Sequence, residues 1–335
     1  MKNNKKTIVM VTAVFVVILL VAGVLLYLDY QKKQEVPAGD VGAANEQGSD
    51  ELDINTIQYN GQTYKRNTAI RTMLFMGVDK KNQEMLEEQP TNGGQSDCMI
   101  LFVLDTTAQT IQTIQISRDS MVNIAIYDKD GEYVKDTRAQ LCLQYAYGDG
   151  EKRSCQLTKN LVSSLFYNIP INSYMSMNVE GFSVITTAMG GVDLTIPEDY
   201  TAIDASFTQG AQVNLQGSMA LKYVQYRNTE ELGSNNGRME RQTQFLTAMA
   251  SQLKAKYGGD SDWYSSFLDV ANPYMVTDMD AEMMKKLSTY SMKEEVLKVP
   301  GETVEGAKYD EYNVDTDALY QMIIDVFYNV KTETE

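Results

Sequence analysis

The longest apolar run lies at the start of the chain. Residues 7–28 carry no charged side chain, and a helix of this length crosses a hydrocarbon core of roughly 30 Å. Lys2, Lys5 and Lys6 precede the run and charges of both signs follow it, so the positive-inside rule places the N-terminus in the cytoplasm. A cleaved signal peptide is the alternative, but its apolar region usually spans only about 7 to 15 residues. We therefore predict a single-pass protein of the cell membrane, with a cytoplasmic tail (1–6), a transmembrane anchor (7–28) and an extracytoplasmic remainder.

A polar segment follows the anchor. From Gln31 to about Leu52, small and polar residues show no apolar periodicity, which is typical of a flexible tether. Asn60-Gly61 then separates two short alternating runs and is a strong hairpin signal. We predict a tether with a short hairpin at 29–65, one domain at 66–330 and a C-terminal tail at 331–335.

Strand and helix patterns are mixed throughout the domain. Apolar runs predict strands at 71–79 and 98–105, and alternation at 109–117 predicts that this third strand pairs with the second through a turn at 106–108. A two-stranded excursion turns at Asp130-Gly131. Apolar periodicity predicts helices within 154–169, 180–191, 214–226, 237–257, 281–290 and 316–328, with further strands at 192–198 and 294–301. This mixture indicates an α/β domain.

Composition narrows the possible functions. The chain has 29 Lys and Arg against 45 Asp and Glu, a formal net charge of -16 at pH 7. Such an acidic chain is a poor candidate for broad nucleic-acid binding. It has no histidine, which removes His-based triads and disfavours a zinc site. Proton transfer must then use carboxylates, Lys, Tyr or the substrate itself.

The three cysteines would lie in a compartment that permits disulfides. Cys98 falls in an apolar strand pattern and is interpreted as a small core residue. Cys142 and Cys155 flank a segment of 12 residues, and the sequence leaves open whether they form a disulfide or remain free thiols.

The arginines are unevenly distributed. Of the eight in the chain, Arg227, Arg238 and Arg241 lie within one short segment. The helix pattern places the first at one helix end and the other two in the first turn of the next helix. Free N–H groups at a helix N-terminus bind phosphate well when guanidinium groups lie beside them. The alternative is pairing with nearby acids, which are Glu230, Glu231 and Glu240, and this segment alone favours neither interpretation.

Other charged residues stand at predicted strand ends. Asp79 and Asp97 each adjoin a buried strand. They either cap turns or, as two carboxylates at adjacent strand ends, form a hard-oxygen site for Mg²⁺ and phosphate oxygens. Arg118 and Asp119 follow the alternating strand, where a turn with a local salt bridge is the alternative to a functional pair.

The order and spacing of eight motifs are more specific than any one motif. They are "MGVD", "SDCMILFVLD", "ISRDS", "YAYGDG", "NVEGF", "MGGVDLTIPED", "LQGSMALKYVQYR" and "GRMERQ". Together they resemble the LytR-CpsA-Psr family of cell-wall glycopolymer ligases, from about Arg71 to Gln252. The later "VLKVPGE" is similar to that family's C-terminal end.

This resemblance implies a three-layer α/β/α domain with a central mixed sheet, whose apolar pocket holds a polyprenyl chain with its pyrophosphate at the mouth. It also implies transfer of a glycopolymer from a polyprenyl pyrophosphate carrier to a peptidoglycan hydroxyl, leaving a phosphodiester. The implied partners are the lipid-linked glycopolymer, peptidoglycan and the membrane, with no nucleic acid.

Residue roles follow from the same resemblance. Asp79 and Asp97 match the family's metal-coordinating acids, for Mg²⁺ or alternatively Mn²⁺. Asp97 and Asp119 are the two candidates for the base that deprotonates the acceptor hydroxyl. The pyrophosphate-binding and catalytic positions of the family match Arg118, Arg227, Arg238 and Gln242, with Arg241 beside them.

Three positions depart from the family's pattern. Gln225 stands where the family usually has the first arginine of Arg-x-Arg, and Gln140 and Cys142 replace a common Lys and Asn. The lost arginine at Gln225 motivates the first of two alternatives, and the second differs only in using water as the acceptor. One is a non-catalytic lipid-binding or regulatory scaffold, and the other is a polyprenyl pyrophosphate hydrolase.

Overall fold

The computed structural model describes residues 55–79, 94–228, 230–258 and 260–331. The predicted anchor at 7–28 lies outside these ranges, as does most of the predicted tether. None of the helices within the described ranges is long and apolar enough to cross a membrane.

The described elements are numbered in chain order. The strands are β1 (Thr56–Tyr59), β2 (Gln62–Arg66), β3 (Ile70–Asp79), β4 (Gln95–Asp105), β5 (Thr110–Ile116), β6 (Met121–Tyr127), β7 (Tyr133–Gln140), β8 (Ser173–Asn178), β9 (Val192–Thr195), β10 (Gln212–Leu215), β11 (Met275–Thr277), β12 (Ser291–Lys298), β13 (Gly301–Glu305), β14 (Asp310–Val314) and β15 (Tyr328–Val330). The α-helices are α1 (Lys152–Leu165), α2 (Val179–Ala188), α3 (Gly217–Gln225), α4 (Ser234–Tyr257), α5 (Ser261–Ala271), α6 (Ala281–Leu287) and α7 (Thr316–Phe327). Short 3₁₀ helices span Leu141–Tyr147 and Asn272–Tyr274.

A six-stranded mixed sheet forms the centre of the fold. Its strand order is β11-β8-β3-β4-β5-β12. The pairs β3–β8 and β5–β12 are parallel, whereas β3–β4, β4–β5 and β8–β11 are antiparallel. The hairpin predicted between the second and third strands is confirmed, and so is the predicted α/β class.

The central strands are apolar on both faces, and this determines the layers. Along β3, Met73 and Phe75 face one core, and Leu74 and Met76 face the other. Burial of one such side chain stabilises the fold by about 1.5–3 kcal/mol, so both faces need a cover. Helices α2 to α6 contribute to the first core, and α1 and α7 to the second.

Smaller sheets surround this centre. The predicted excursion is the antiparallel pair β6–β7, and β13 pairs with β14. The predicted hairpin at Asn60-Gly61 is confirmed as β1–β2, and β15 pairs with β2. The structure therefore joins this hairpin, assigned above to the tether, to the last strand of the domain through backbone hydrogen bonds.

Some elements were not predicted, and two helix starts were misplaced. Strand β8 and helix α5 were not predicted, and the predicted helix at 214–226 begins as strand β10 before α3. Helix α4 begins at Ser234 rather than near Arg238, and the residue before it, Gly233, adopts a left-handed φ of 74° that glycine tolerates. Arg238 therefore lies in the second turn, not the first.

Cys142 and Cys155, whose pairing the sequence left open, are free thiols, as is Cys98. The Cys142 thiol contacts Arg118, and the Cys155 thiol lies 3.9 Å from the Tyr145 hydroxyl. The disulfide alternative is therefore wrong for this structure.

Candidate functional site: an arginine-lined cavity

A cavity of about 420 Å³ opens beside the ends of β3, β4 and β8. Most of the predicted site residues line it, and these are Asp79, Asp97, Arg118, Arg227, Arg238 and Gln242. The two other predicted residues, Asp119 and Arg241, are not on its wall. The fold thus brings together side chains that are far apart in the sequence.

A β-bulge places Asp97 on the cavity wall. The β3–β4 register pairs Gly77 with Cys98 and then Val78 with Ser96, so Asp97 is the extra, unpaired residue. A bulge of this kind re-aims the side chain that it carries. Gly77 supports the arrangement, since a Cβ there would approach the Cys98 Cβ to 3.0 Å.

Arg118 follows β5 and is held by several partners. Its guanidinium donates to the Asp97 carboxylate, to Gln95 at 2.7 Å and to the Cys142 thiol at 3.1 Å. Its Nε lies 3.5 Å from the Asp119 carboxylate. Burial by itself would lower the Arg118 pKa, but the surrounding Cys142, Asp97 and Asp119 together raise it. Arg118 therefore remains cationic.

Asp119 lies behind Arg118, away from the cavity. Its side chain is only 3% exposed, and it accepts a hydrogen bond of 3.0 Å from Gln140. Burial raises the pKa of Asp119, although the nearby arginines oppose this shift. Of the two candidate bases, only Asp97 reaches the cavity.

Arg227 lies just beyond the end of α3. Its Nε donates to the Ser234 hydroxyl at 3.0 Å, and its Nη2 donates to the Asp310 carboxylate at 3.0 Å. Asp310, at the start of β14, also accepts the backbone N–H of Gly233 at 3.2 Å. Among the described residues the acid paired with Arg227 is therefore Asp310, not one of the glutamates named in the sequence analysis.

Arg238 is buried on the cavity-facing side of α4, with 6% of its surface exposed. Both of its hydrogen bonds, at 3.1 and 2.6 Å, go to the neutral Asn235 side chain. No carboxylate of the described residues lies within salt-bridge distance of Arg238. Burial lowers its pKa. The charges of Asp97 and Asp119 oppose this shift from beyond salt-bridge distance. A buried cation that hydrogen-bonds only to a neutral side chain is still costly, and an anionic ligand would offset that cost.

Arg241 lies on the same helix but binds backbone carbonyl groups. It donates to the backbone carbonyls of Tyr223, at 2.9 Å, and Tyr226. Its guanidinium also lies 5.3 Å from the ring centre of Tyr200. These contacts tie α4 to the end of α3. Gln242 does likewise through a 3.1 Å bond to the Val224 carbonyl, while it also lines the cavity.

The rest of the cavity wall is largely apolar. It includes Phe75, Met177, Phe182 and Leu246, which belong to or pack against the first core. The cavity lining thus combines charged side chains with a larger set of apolar ones. Gln225, one of the departures noted above, also lines it and contributes no charge.

Asp79 and Asp97 provide enough ligands for a metal ion only together with the oxygens of a bound substrate. Among the described residues no three Asp, Glu or Cys side chains cluster as a complete protein site. Asp79 and Asp97 nevertheless line the same cavity. Mg²⁺ commonly takes one or two carboxylates and completes its shell with water and phosphate oxygens. The donor set is therefore compatible with Mg²⁺ that arrives together with a phosphate ligand.

Sequence reasoning missed the residues that hold the arginines in place. These are Gln95, Asn235 and Asp310. Gln95 and Asn235 are polar residues without a charge, and Asp310 lies 83 positions from Arg227. Asn235 lies only three positions before Arg238 on the same helix, whereas Gln95 lies 23 positions from Arg118. No local sequence pattern links Gln95 or Asp310 to its arginine, because these two contacts exist only after the chain has folded.

The fold and this cavity define the class of protein: a mixed-sheet α/β domain with an arginine-lined pocket. The LytR_cpsA_psr family model matches residues 28–333. The chain therefore belongs to the LytR-CpsA-Psr family.

Individual relatives agree with this membership. The chain is 27% identical to the polyisoprenyl-teichoic acid--peptidoglycan teichoic acid transferase TagU of Bacillus mycoides (strain KBAB4), over 75% of this chain and 76% of that protein. Its fold resembles B. subtilis TagV, with a TM-score of 0.57, 19% identity, and coverage of 77% of this chain and 97% of that one. It also resembles TagT bound to LI-WTA, with a TM-score of 0.58, 19% identity, and coverage of 77% and 90%.

Proposed function

We propose that this protein is a membrane-anchored phosphotransferase that attaches a glycopolymer to peptidoglycan. The donor is the glycopolymer linked to a polyprenyl pyrophosphate. The acceptor hydroxyl oxygen attacks the phosphorus that carries the glycopolymer, and the bond from that phosphorus to the bridging oxygen breaks. The polyprenyl monophosphate leaves, and a phosphodiester joins polymer and peptidoglycan. The hydroxyl proton passes to a base.

One observation carries the proposal. Arg238 is a buried cation whose hydrogen bonds all go to a neutral side chain, and it shares a cavity with Arg118 and Arg227. Three guanidinium groups around one space favour a ligand with several negative oxygens, and a pyrophosphate is such a ligand. Phosphoryl transfer depends on alignment and charge neutralisation more than on covalent help. A chain without histidine can therefore catalyse it.

The shape of the cavity supports a lipid donor. Its lining combines charged and apolar side chains, as an amphipathic ligand would require. About 420 Å³ is within the range of roughly 300–1,000 Å³ typical of small-molecule pockets. This space suits the pyrophosphate and the first part of an apolar chain. The relatives named TagU and the TagT complex with LI-WTA are consistent with such a donor.

Mg²⁺, or alternatively Mn²⁺, would be held by Asp79 and Asp97 together with the donor's phosphate oxygens. When bound it would neutralise charge on the pyrophosphate. Of the two base candidates, we assign proton acceptance to Asp97, because Asp119 is buried behind Arg118 and does not reach the cavity. Arg118 then orients Asp97 through their direct contact.

Membrane attachment follows from the donor. A polyprenyl carrier resides in the bilayer, so the enzyme must work close to a membrane surface. The apolar run at 7–28 would provide that anchor, with the N-terminus in the cytoplasm and the domain outside.

The test is reconstituted transfer. The full chain in vesicles is given radiolabelled polyprenyl-pyrophosphate-linked glycopolymer and purified peptidoglycan, and label bound covalently to peptidoglycan is counted beside released lipid phosphate. Labelled peptidoglycan supports the proposal. Lipid phosphate without labelled peptidoglycan would identify a hydrolase instead. Donor binding without either product would identify the scaffold alternative.

A further inference from the structure

Asp310 connects the C-terminal hairpin β13–β14 to the cavity. One oxygen of its carboxylate, Oδ2, accepts both the Arg227 guanidinium at 3.0 Å and the Gly233 amide at 3.2 Å. The two side chains of the pair are 20% and 17% exposed. Partial burial makes a charge-assisted bond of this kind stronger than a surface ion pair.

These contacts leave one part of Arg227 for a ligand. Nε donates to Ser234 and Nη2 donates to Asp310, whereas Nη1 has no hydrogen-bond partner among the residues that the structure describes. The arginine lines the cavity. A guanidinium held through two of its three nitrogens can present the third in a fixed direction.

The same hairpin is fixed to the Arg118 region. Gln140 donates to the Asp119 carboxylate at 3.0 Å and to the Asp310 backbone carbonyl at 2.9 Å. The Tyr312 amide donates to the Asp119 carbonyl at 2.9 Å. Arg118 and Arg227 are therefore positioned by one continuous network, although they come from different parts of the chain.

We propose that Asp310 is a positioning residue for the transfer, which holds Arg227 on the cavity wall in fixed relation to Arg118. This inference rests on the proposed function, because it assigns Arg227 to the donor's pyrophosphate. Asp310 acts through Arg227 and does not itself contact the donor. Pre-organised cations bind a polyanion better because they are already ordered and lose little conformational freedom when the ligand binds.

The first experiment measures binding of farnesyl pyrophosphate, a short polyprenyl pyrophosphate, to the full chain at fixed Mg²⁺. Asp310→Asn keeps the size of the side chain but removes its charge. It should weaken binding roughly tenfold, the effect expected when a charge-assisted hydrogen bond is lost. Asp310→Glu should recover part of the loss. Glu302→Gln, an exposed acid on the same hairpin, is the matched control and should bind like the wild type.

A double-mutant cycle shows whether Asp310 acts through Arg227. In an Arg227→Met background, Asp310→Asn should cause no further loss of binding, since the residue that it positions is already gone. In transfer assays Asp310→Asn should raise the KM for the lipid donor and leave the KM for peptidoglycan unchanged. Equal unfolding midpoints for the single variants and the wild type would exclude a general loss of fold.

The outcomes of these experiments distinguish failure of this inference from failure of the proposed function on which it rests. If the wild-type chain fails to bind farnesyl pyrophosphate, the proposed function is overturned together with the inference. If the wild type binds and Asp310→Asn binds equally well or more tightly, only the inference is overturned. Tighter binding would mean that the carboxylate competes with the ligand for Arg227. Additive losses in the cycle would also overturn it.

Discussion

Arg238 and Arg241 lie three positions apart on α4, and each is 6% exposed. Burial lowers the pKa of both. Their partners differ, however. Arg241 donates to two backbone carbonyls at the end of α3, whereas Arg238 lines the cavity and hydrogen-bonds only to the neutral Asn235 side chain. The two arginines thus share residue type and burial but have different roles, and only their hydrogen-bond partners distinguish these roles.

The acids show the same contrast. Asp97 projects from a β-bulge onto the cavity wall, and Asp119 lies behind it with a 3% exposed side chain. The cluster therefore has two layers: a cavity-facing layer with Arg238 and Asp97, and a supporting layer with Arg241 and Asp119. We expect changes in the first layer to alter chemistry and changes in the second to alter stability.

The largest effect is expected for Arg238→Met. Loss of a charge aimed at the donor's phosphates should lower kcat/KM for transfer at least ~100-fold, as removal of one oxyanion-hole donor does. The free energy of unfolding should change by less than about 1 kcal/mol, because relief of the buried charge offsets the lost hydrogen bonds to Asn235. Transfer assays and urea denaturation measure the two quantities. A variant that is strongly destabilised but keeps its turnover would place Arg238 in the supporting layer.

Arg241→Met is the matched change in the supporting layer. It leaves the Tyr223 and Tyr226 carbonyls without their donor, so the free energy of unfolding should fall by about 2 kcal/mol. Transfer by the folded variant should stay within about threefold of the wild type, because Arg241 is not on the cavity wall. A loss of farnesyl pyrophosphate binding as large as that of Arg238→Met would remove the distinction between the layers.

Much of the fold could be predicted from local patterns. The apolar runs of β3 and β4, the alternation of β5 and the Asn60-Gly61 turn each specify their own structure. Strand β8, with the sequence SYMSMN, alternates serine, methionine and other residues too weakly to be recognised. It forms because it pairs in parallel with β3, a long-range contact that local propensity cannot report.

The site could be predicted only in part. Motif order selected eight site residues, and the structure places six of them on one cavity. The sequence could not separate the two layers, since that depends on partners distant in the chain. The start of α4 is an example, because the helix begins at Ser234 and Arg238 therefore lies in its second turn. Among the described residues, Asp310 accepts the amide of Gly233, which immediately precedes this helix.

Asp97→Asn tests the cavity-facing layer through the metal. An amide is a weaker ligand for Mg²⁺ than a carboxylate. The Mg²⁺ concentration that gives half-maximal transfer should therefore rise about tenfold, equivalent to ~1.4 kcal/mol. Titration of transfer against Mg²⁺ measures the shift, with Asp119→Asn as the control that should leave the midpoint in place. Identical curves for Asp97→Asn and the wild type would remove Asp97 from the metal site.

The smallest effect is expected from Asp119, and it should appear as a pH dependence of stability. Burial raises the folded-state pKa of Asp119 above its ordinary value of 3.8, so the folded protein binds this proton more tightly than the unfolded chain does. Its contribution to stability is then fully present below about pH 3.8 and is lost as the pH rises through the folded-state pKa. Asp119→Asn removes this titration.

The free energy of unfolding of Asp119→Asn, relative to the wild type, should therefore increase between pH 3.8 and neutrality and then level off. Urea denaturation at a series of pH values gives this difference directly. We expect its total change to be smaller than the effect of Arg241→Met, because Arg118, Arg227 and Arg238 already offset part of the burial cost. If the free energy of unfolding of the variant instead falls relative to the wild type as the pH rises, ion pairing with Arg118 outweighs the cost of burial. Asp119 would then stabilise the fold as a charged partner of Arg118, and its charge would strengthen the supporting layer instead of weakening it.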